Sequence, residues 1–216
     1  MEIIIRNVSK RFKQNTILED VNLTLIDGHI YGFYGRNGSG KSVLLKMICD
    51  LYRPNAGEIL FDGKNYASVT KMVPELRALI EKPNFFPDLS GMENLRLLAK
   101  VQNKISDKEI EEALKQVNLY EERNKRFGIY SLGMKQKLGI AQVIMENPKI
   151  MILDEPFNGV EEETVKKIKA YLLEEKKKGK IILFSTHILE DLTSMSDEIY
   201  YFDNKKVTRM ESSNAL

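Results

Sequence analysis

Apolar and polar residues alternate along VNLTLI (21–26) as far as Leu25, the mark of a strand with one buried face. Residues 3–5 (III) form a strand before it, and Asp27-Gly28 supplies a turn after it. Residues 30–34 make a short apolar and aromatic strand that ends at Gly35, and a helix is expected from about Lys41 to Leu51. After Pro54, GEILFDGK (57–64) reads as a hairpin. Residues 85–147 read as helical throughout, with Ser90/Glu93 and Ser106/Glu109 at capping-box spacing, and Pro148 closes that region. The runs 150–153 and 181–184 are apolar without alternation, as in strands buried on both faces of a parallel sheet.

A charged helix, 161–178, lies between those two strands and ends at Gly179. Glu162/Lys166 and Glu163/Lys167 have the stabilising order on it, and the lysine run 176–178 reads as its solvated end. Strand–helix–strand at both ends with a helical insertion between them predicts an α/β protein with a lobe.

Composition changes this picture little. With 216 residues, 43% apolar and 30% charged, the chain suits one sizeable domain of ordinary globular type. A net charge of +2 gives no reason to expect nucleic acid or an acidic partner. The one cysteine, Cys49, fits a reducing compartment and reads as a small buried apolar residue rather than a reactive thiol. The N-terminus has no basic segment followed by a long apolar one, so no signal peptide is expected. The apolar runs are too short for a bilayer, so a membrane role is expected only through a partner.

Chemistry enters at GRNGSGKS (35–42), a full match to G-x-x-x-x-G-K-[ST] with a strand before and a helix after. Gly35, Gly38 and Gly40 let backbone amides turn toward one anion; Asn37 and Ser39 belong to the same stretch, and Val43 follows it. Lys41 adds a point charge for the terminal phosphates, and Ser42 offers a hydroxyl to Mg²⁺. The competing reading, a glycine-rich turn before a helix, does not account for the complete motif with both flanks. IMILDEP (150–156) then places Asp154 and Glu155 at the C-terminal end of a buried strand, where α/β sheets bind ligands. Asp154 suits the metal, and Glu155 is placed to polarise an attacking water. His187 ends the next buried strand, in position for a γ-phosphate.

YSLGMKQKLG (130–139) admits two readings: Ser131 caps a helix, or Ser131 and Gly133 face a phosphate at its N-terminus.

Taken in order, these motifs resemble the nucleotide-binding subunits of ATP-binding cassette (ABC) transporters over nearly the whole chain. GRNGSGKS resembles the family's phosphate loop, IMILDEP its acidic motif, His187 its switch histidine, and NGVE (158–161) the loop that touches the opposing subunit. YSLGMKQKLG falls at the signature, usually LSGGQ, and Phe12 matches the aromatic that stacks on adenine. A hydrophobic plug at a strand end accounts for Phe12 equally well.

The resemblance implies a P-loop NTPase (RecA-like) core with an antiparallel β subdomain (1–84 and 148–216) and an inserted α-helical lobe (85–147). It implies ATP and Mg²⁺ as cofactors and a head-to-tail pair, either a homodimer or two different cassettes. Each ATP would lie between one subunit's phosphate loop and the other's signature. The partner implied is a separately encoded transmembrane permease subunit, which puts the chain in the cytoplasm at the inner membrane face. The competing readings are a non-transport ABC ATPase and an ATP-sensing module that does not cycle. The long coiled-coil insertion of the DNA-repair members is missing, and Lys41, Asp154 and Glu155 are intact.

Three places depart from the family pattern. Glu81 stands where a glutamine carbonyl usually meets Mg²⁺ and the attacking water, Glu161 replaces an aspartate, and Leu132 and Met134 replace signature residues. The string IEKPNFFPDLSGMENL (80–95) with SLGMKQ is most similar to cassettes serving exporters of bacitracin or lantibiotic peptides. Phe85, Phe86 and Leu89 read either as lobe core or as a groove for a helix of the membrane subunit.

Overall fold

The strand that begins at Ile3 carries on past the isoleucines: Ile3 and Ile5 are buried, and after a shift of register Val8 is buried as well. The computed structural model, which describes residues 1–65 and 75–210, therefore has a long first strand, β1 (Glu2–Phe12). It pairs antiparallel with β2 (Asn15–Ile26) on one side. On its other side lies the strand Ala56–Phe61, β4, which gives a three-stranded antiparallel sheet. Residues Ala56–Phe61 of this stretch pair with β1. Phe61 bridges Lys64 across the turn, and the rest of that expected hairpin lies outside the described residues.

The second sheet carries the motifs. Its order is β5 (Leu76–Leu79), β6 (Ile150–Asp154), β7 (Ile181–Thr186), β3 (His29–Tyr34), β8 (Glu198–Asp203), β9 (Lys206–Arg209). Every pair is parallel except β8–β9. All residues of β6 and β7 are buried, as their unbroken apolar runs predict. Met151 and Leu153 enter one hydrophobic cluster while Ile150 and Ile152 enter the other, so the sheet is covered on both faces. Register sets the site: Tyr34 pairs with Thr186, and Asp154 with Ser185. The C-terminal ends of β3, β6 and β7 are therefore level, and Gly35, Glu155 and His187 leave from one edge.

The helix α1 (Lys41–Ile48) stops one turn short of the expected Leu51, since Asp50 takes a positive φ of 57°. Residues 85–147 are not helical throughout. They form α2 (Gly91–Gln102), α3 (Asp107–Gln116) and α4 (Leu132–Ile144), with a short 3-10 turn at Phe127–Ile129. Asn103 and Asn118, at φ 51° and 50°, end the first two of these helices in a left-handed conformation that asparagine tolerates. Both capping boxes form. Ser90 N–H donates to Glu93 Oε2 at 2.7 Å, and Ser106 N–H to Glu109 Oε2 at 2.8 Å.

The charged helix is α5 (Glu162–Lys177), followed after β7 by α6 (Leu189–Thr193). Lys166 pairs with Glu162 at 2.6 Å, but the expected Glu163/Lys167 pair is replaced. Lys167 instead donates to the Lys115 carbonyl and Asn118 Oδ1, at 2.6 and 2.8 Å, tying α5 to the end of α3. Nor is the lysine run only solvated: Lys176 pairs with Asp197 at 2.5 Å.

Asn94 on α2 had no sequence role, yet it is only 2% exposed and organises the loop before its own helix. Its amide donates to the carbonyls of Phe86, Leu89 and Ser90 and accepts from Phe86 N–H, at 2.9–3.3 Å. Asn94→Ala removes all four bonds and leaves the Phe86 N–H without its partner, while each of the three carbonyls keeps a backbone donor, an expected loss of about 1–3 kcal/mol. Thermal unfolding measures it, and an unchanged midpoint would contradict the role.

Candidate functional site

The loop between β3 and α1 turns because Gly40 takes φ 106°, and a Cβ there would stand 2.8 Å from Leu18 Cδ2. Gly40 also occupies the N-cap of α1 and has no side chain to cap it, so the first amides of the helix remain available to an anion. Lys41 folds back over the loop. Its Nζ donates to the carbonyls of Gly35 and Arg36 at 2.5 and 3.1 Å. Burial pulls this ammonium below the ordinary lysine value, while Glu155 and then Asp154 pull it back up. A buried cation facing two carboxylates at a helix N-terminus is poised for phosphate.

A cavity of about 290 Å³ opens here. It is lined by Phe12, Ile17, Asn37, Gly38, Gly40, Lys41, Ser42, Val43, Asp154 and Glu155. Gly35 contributes the carbonyl that holds Lys41, and Ser39 lies beneath with a buried Oγ that has no partner. Phe12 is 40% exposed and meets Tyr52 edge-on, ring centroids 5.3 Å apart. Phe12 is among the residues lining the cavity. Ile17 was not foreseen; only the β1–β2 pairing places it beside Phe12.

At the other sequence motif, Asp154 Oδ1 accepts from the Ser185 hydroxyl. Glu155 sits at φ 47°, a left-handed conformation that costs a glutamate about 1–3 kcal/mol. Its N–H donates to both the carbonyl and the hydroxyl of Ser185 at 3.1 Å, and its carbonyl accepts from Gln136 Nε2 at 3.0 Å. These bonds hold the strained residue. The carboxylate Oε2 accepts from His187 Nδ1 at 3.0 Å, and Oε1 is buried with no partner. Ser185 and Gln136 are positioning residues that the sequence reading missed. The letters IILFSTH and MKQKLG carry no signal that they would meet Glu155.

An orphaned carboxylate oxygen beside Lys41, with Ser42 and Asp154 on the same cavity, fits a phosphate-bound Mg²⁺, which needs only one or two protein ligands. Among the described residues no cluster of three His, Cys, Asp or Glu stands ready to hold a metal alone. Glu81 is not at this cavity. Its carboxylate pairs with Lys46, one helical turn along α1 from Ser42.

Ser131 is the N-cap of α4, accepting from Met134 N–H at 3.2 Å, and it is exposed. Gly133, expected to offer an unhindered amide, is buried by its own chain. A Cβ on it would stand 2.2 Å from the Gly159 carbonyl oxygen, so glycine is required there by the close approach of the 158–161 loop. The same loop is tied down by Glu161, which pairs with Lys137 of α4 at 3.2 Å. Its own amide and then Lys137 hold that carboxyl below the usual range. Leu132, 58% exposed, lies with its Cδ2 against Gly159.

A larger groove of about 610 Å³ is lined by residues of β5, α2, α4 and the 82–87 loop, with Phe85, Phe86, Leu97, Leu98 and Gln142 among them. Phe85 packs edge-on against Phe127, whereas Phe86 is largely exposed. Leu89 does not line the groove. Burial pushes the Cys49 thiol up to about 12, in keeping with a packed, unreactive cysteine. No helix among the described residues is long and apolar enough to cross a membrane.

Comparison with known proteins places this geometry. The family model described as ABC transporter matches residues 18–158. The bacitracin transport ATP-binding protein BcrA of Enterococcus faecalis is 38% identical over 203 residues, covering 92% of this chain and 66% of that protein. The lantibiotic transport ATP-binding protein SrtF of Streptococcus pyogenes is 30% identical, covering 94% and 87%. The chain thus spans just under two thirds of the length of some relatives and most of others. A dimeric, post-hydrolysis structure of the ATP-binding cassette MJ0796 with ADP and Pi superposes with a TM-score of 0.89 at 25% identity, covering 97% of each chain. An ATP-binding subunit of an ABC transporter superposes with a TM-score of 0.87 at 28% identity, covering 99% and 91%. With a phosphate loop, an acidic strand end and a capped signature helix on this fold, the chain belongs to the ABC transporter family of ATP-binding cassettes.

Proposed function

We propose that this chain binds and hydrolyses ATP as the cassette subunit of an exporter for a peptide antibiotic or similar compound. The observation that carries the reading is the single cavity joining the loop 37–43 to Asp154 and Glu155. The uncapped amides of α1 and the Lys41 ammonium bind the phosphates, and Phe12 offers a face to the base. Asp154 and Ser42 are the donors for Mg²⁺, which when bound neutralises charge developing on the phosphates. Glu155 takes the proton of the attacking water, held in place by Ser185 and Gln136 and oriented through its bond to His187.

The site is half of a composite one in this reading. A second cassette, identical or different, presents its Ser131 helix end to the phosphates; the dimeric MJ0796 structures support the pairing of cassettes. The groove at Phe86 accepts a helix of a separate permease, which holds the chain at the inner membrane face. The bacitracin and lantibiotic relatives support the cargo class.

Phosphate release from ATP, measured on the chain purified with its membrane partner, tests the reading. Hydrolysis that stops on chelation of Mg²⁺ and rises with bacitracin or a lantibiotic supports it. A complex that consumes no ATP overturns it.

A further inference from the structure

Among the described residues that line the nucleotide cavity, Phe12 is the aromatic one, and it stands at the exposed end of β1 where the chain turns into β2. A ring in that position stacks well only if something holds it, since ordering a loose side chain costs part of the gain. Two residues without a part in the site so far do so. The Lys10 ammonium lies 4.9 Å from the centroid of the Phe12 ring and 5.5 Å from that of Tyr52. Tyr52 in turn meets Phe12 edge-on. Neither Lys10 nor Tyr52 lines the cavity, though both touch the ring that does, so they stand behind it as seen from the nucleotide.

This backing is anchored to α1, the helix whose first amides face the cavity. Leu51 and Tyr52 N–H donate to the Lys46 carbonyl of that helix at 2.9 and 3.2 Å. From the strand side, Lys10 Nζ donates to the Arg53 carbonyl at 2.6 Å and Arg11 N–H to Asn55 Oδ1 at 2.8 Å. Asn55 N–H closes the set by donating to the Ser9 carbonyl at 2.8 Å. Residues 9–12 and 52–55 thereby form one clasp between the antiparallel sheet and α1. It fixes how far the Phe12 ring stands from the start of α1, the spacing that a base and its phosphates have to match.

We propose that Lys10 is a positioning residue for the nucleobase: with Tyr52 it holds the Phe12 ring from behind, leaving the other face set to stack a base whose phosphates lie on α1. The proposal rests on the nucleotide-site reading above. The hold has two parts, a cation against the face of the ring and a hydrogen bond that ties the same ammonium to the 52–55 segment. Losing the ammonium loosens the ring but leaves the phosphate loop as it is, so the base end of the site weakens and the phosphate end does not.

The test is calorimetric binding of ATP and of inorganic tripolyphosphate, each with Mg²⁺, to the isolated chain. Tripolyphosphate keeps the phosphates and lacks the base. The chains compared are wild type, Lys10→Met, Lys10→Arg, Phe12→Leu, and Lys10→Met with Phe12→Leu. Lys10→Met keeps an apolar stem and is expected to weaken ATP binding about two- to fivefold, the range of a solvent-exposed cation–π contact, with tripolyphosphate binding unchanged. Lys10→Arg restores wild-type affinity, since a guanidinium also lies on aromatic rings and donates to a carbonyl. Once Phe12 is leucine, Lys10→Met has no further effect. No loss, an equal loss for both ligands, or the same loss in the Phe12→Leu background overturns the proposal. Wild-type chain that binds tripolyphosphate as tightly as ATP overturns it too, while the phosphate site stands. Wild-type chain that binds neither overturns the site reading, and the proposal with it.

Discussion

Glu155→Gln is expected to lower ATP turnover by about a hundredfold or more while ATP binding is kept, because the substitution removes a proton acceptor and almost nothing else. Glutamine has the shape of glutamate and leaves the backbone bonds to Ser185 and Gln136 untouched. The strained φ is borne equally by either side chain. What changes is the carboxylate: Oε1 is buried without a partner on the nucleotide cavity, and Oε2 holds the His187 ring. A neutral amide also lessens repulsion of the phosphates, so nucleotide affinity should hold or rise. Phosphate release by wild type and variant, each with the membrane partner, decides it. Equal rates would sink the role of Glu155, whereas loss of binding would point to a structural role instead.

The parts legible in the sequence are those where one short segment specifies its own geometry. GRNGSGKS fixes a loop and a helix start by glycine conformation alone, and both capping boxes lie within four consecutive residues. Asp154 and Glu155 were found because an unbroken apolar run announces a buried strand, and polar residues at its end face the sheet edge. The strands β5, β8 and β9 were missed for the converse reason. In LRAL the charge of Arg77 breaks the apolar run, and only the fold supplies its ion-pair partner, Glu146.

Contacts between distant segments were out of reach in the same way. Gln136 meets Glu155, and Lys167 prefers the end of α3 to its helical neighbour Glu163. Gly133 shows how the fold can add a reason the sequence does not carry: the Gly159 carbonyl leaves no room for a Cβ there. Leu132, Gly159 and the Lys137–Glu161 pair bind the signature helix and the 158–161 loop into one unit, so Glu161 in place of aspartate spans a gap within the chain. Through Gln136 that unit also touches the backbone of Glu155. The glutamate proposed to activate water is thereby tied to the surface that the same subunit would offer to the other's nucleotide.

That surface is tested at Ser131. Ser131→Arg is expected to abolish cooperative turnover, a fall of about a hundredfold, while sparing ATP binding to the isolated chain. The cavity that binds nucleotide within one chain does not include Ser131, which is why binding survives. The side chain also caps α4, and losing a cap costs about 0.5–2 kcal/mol, so arginine alone confuses a destabilised helix with a lost contact. Ser131→Asp separates the two. Aspartate caps as well as serine and suits the helix dipole, so the unfolding midpoint should hold, yet it sets a negative charge against the partner's phosphates. Turnover that falls by tenfold or more in this stable variant places Ser131 at the nucleotide of the second cassette. Turnover that survives in both variants leaves Ser131 a helix cap and nothing more.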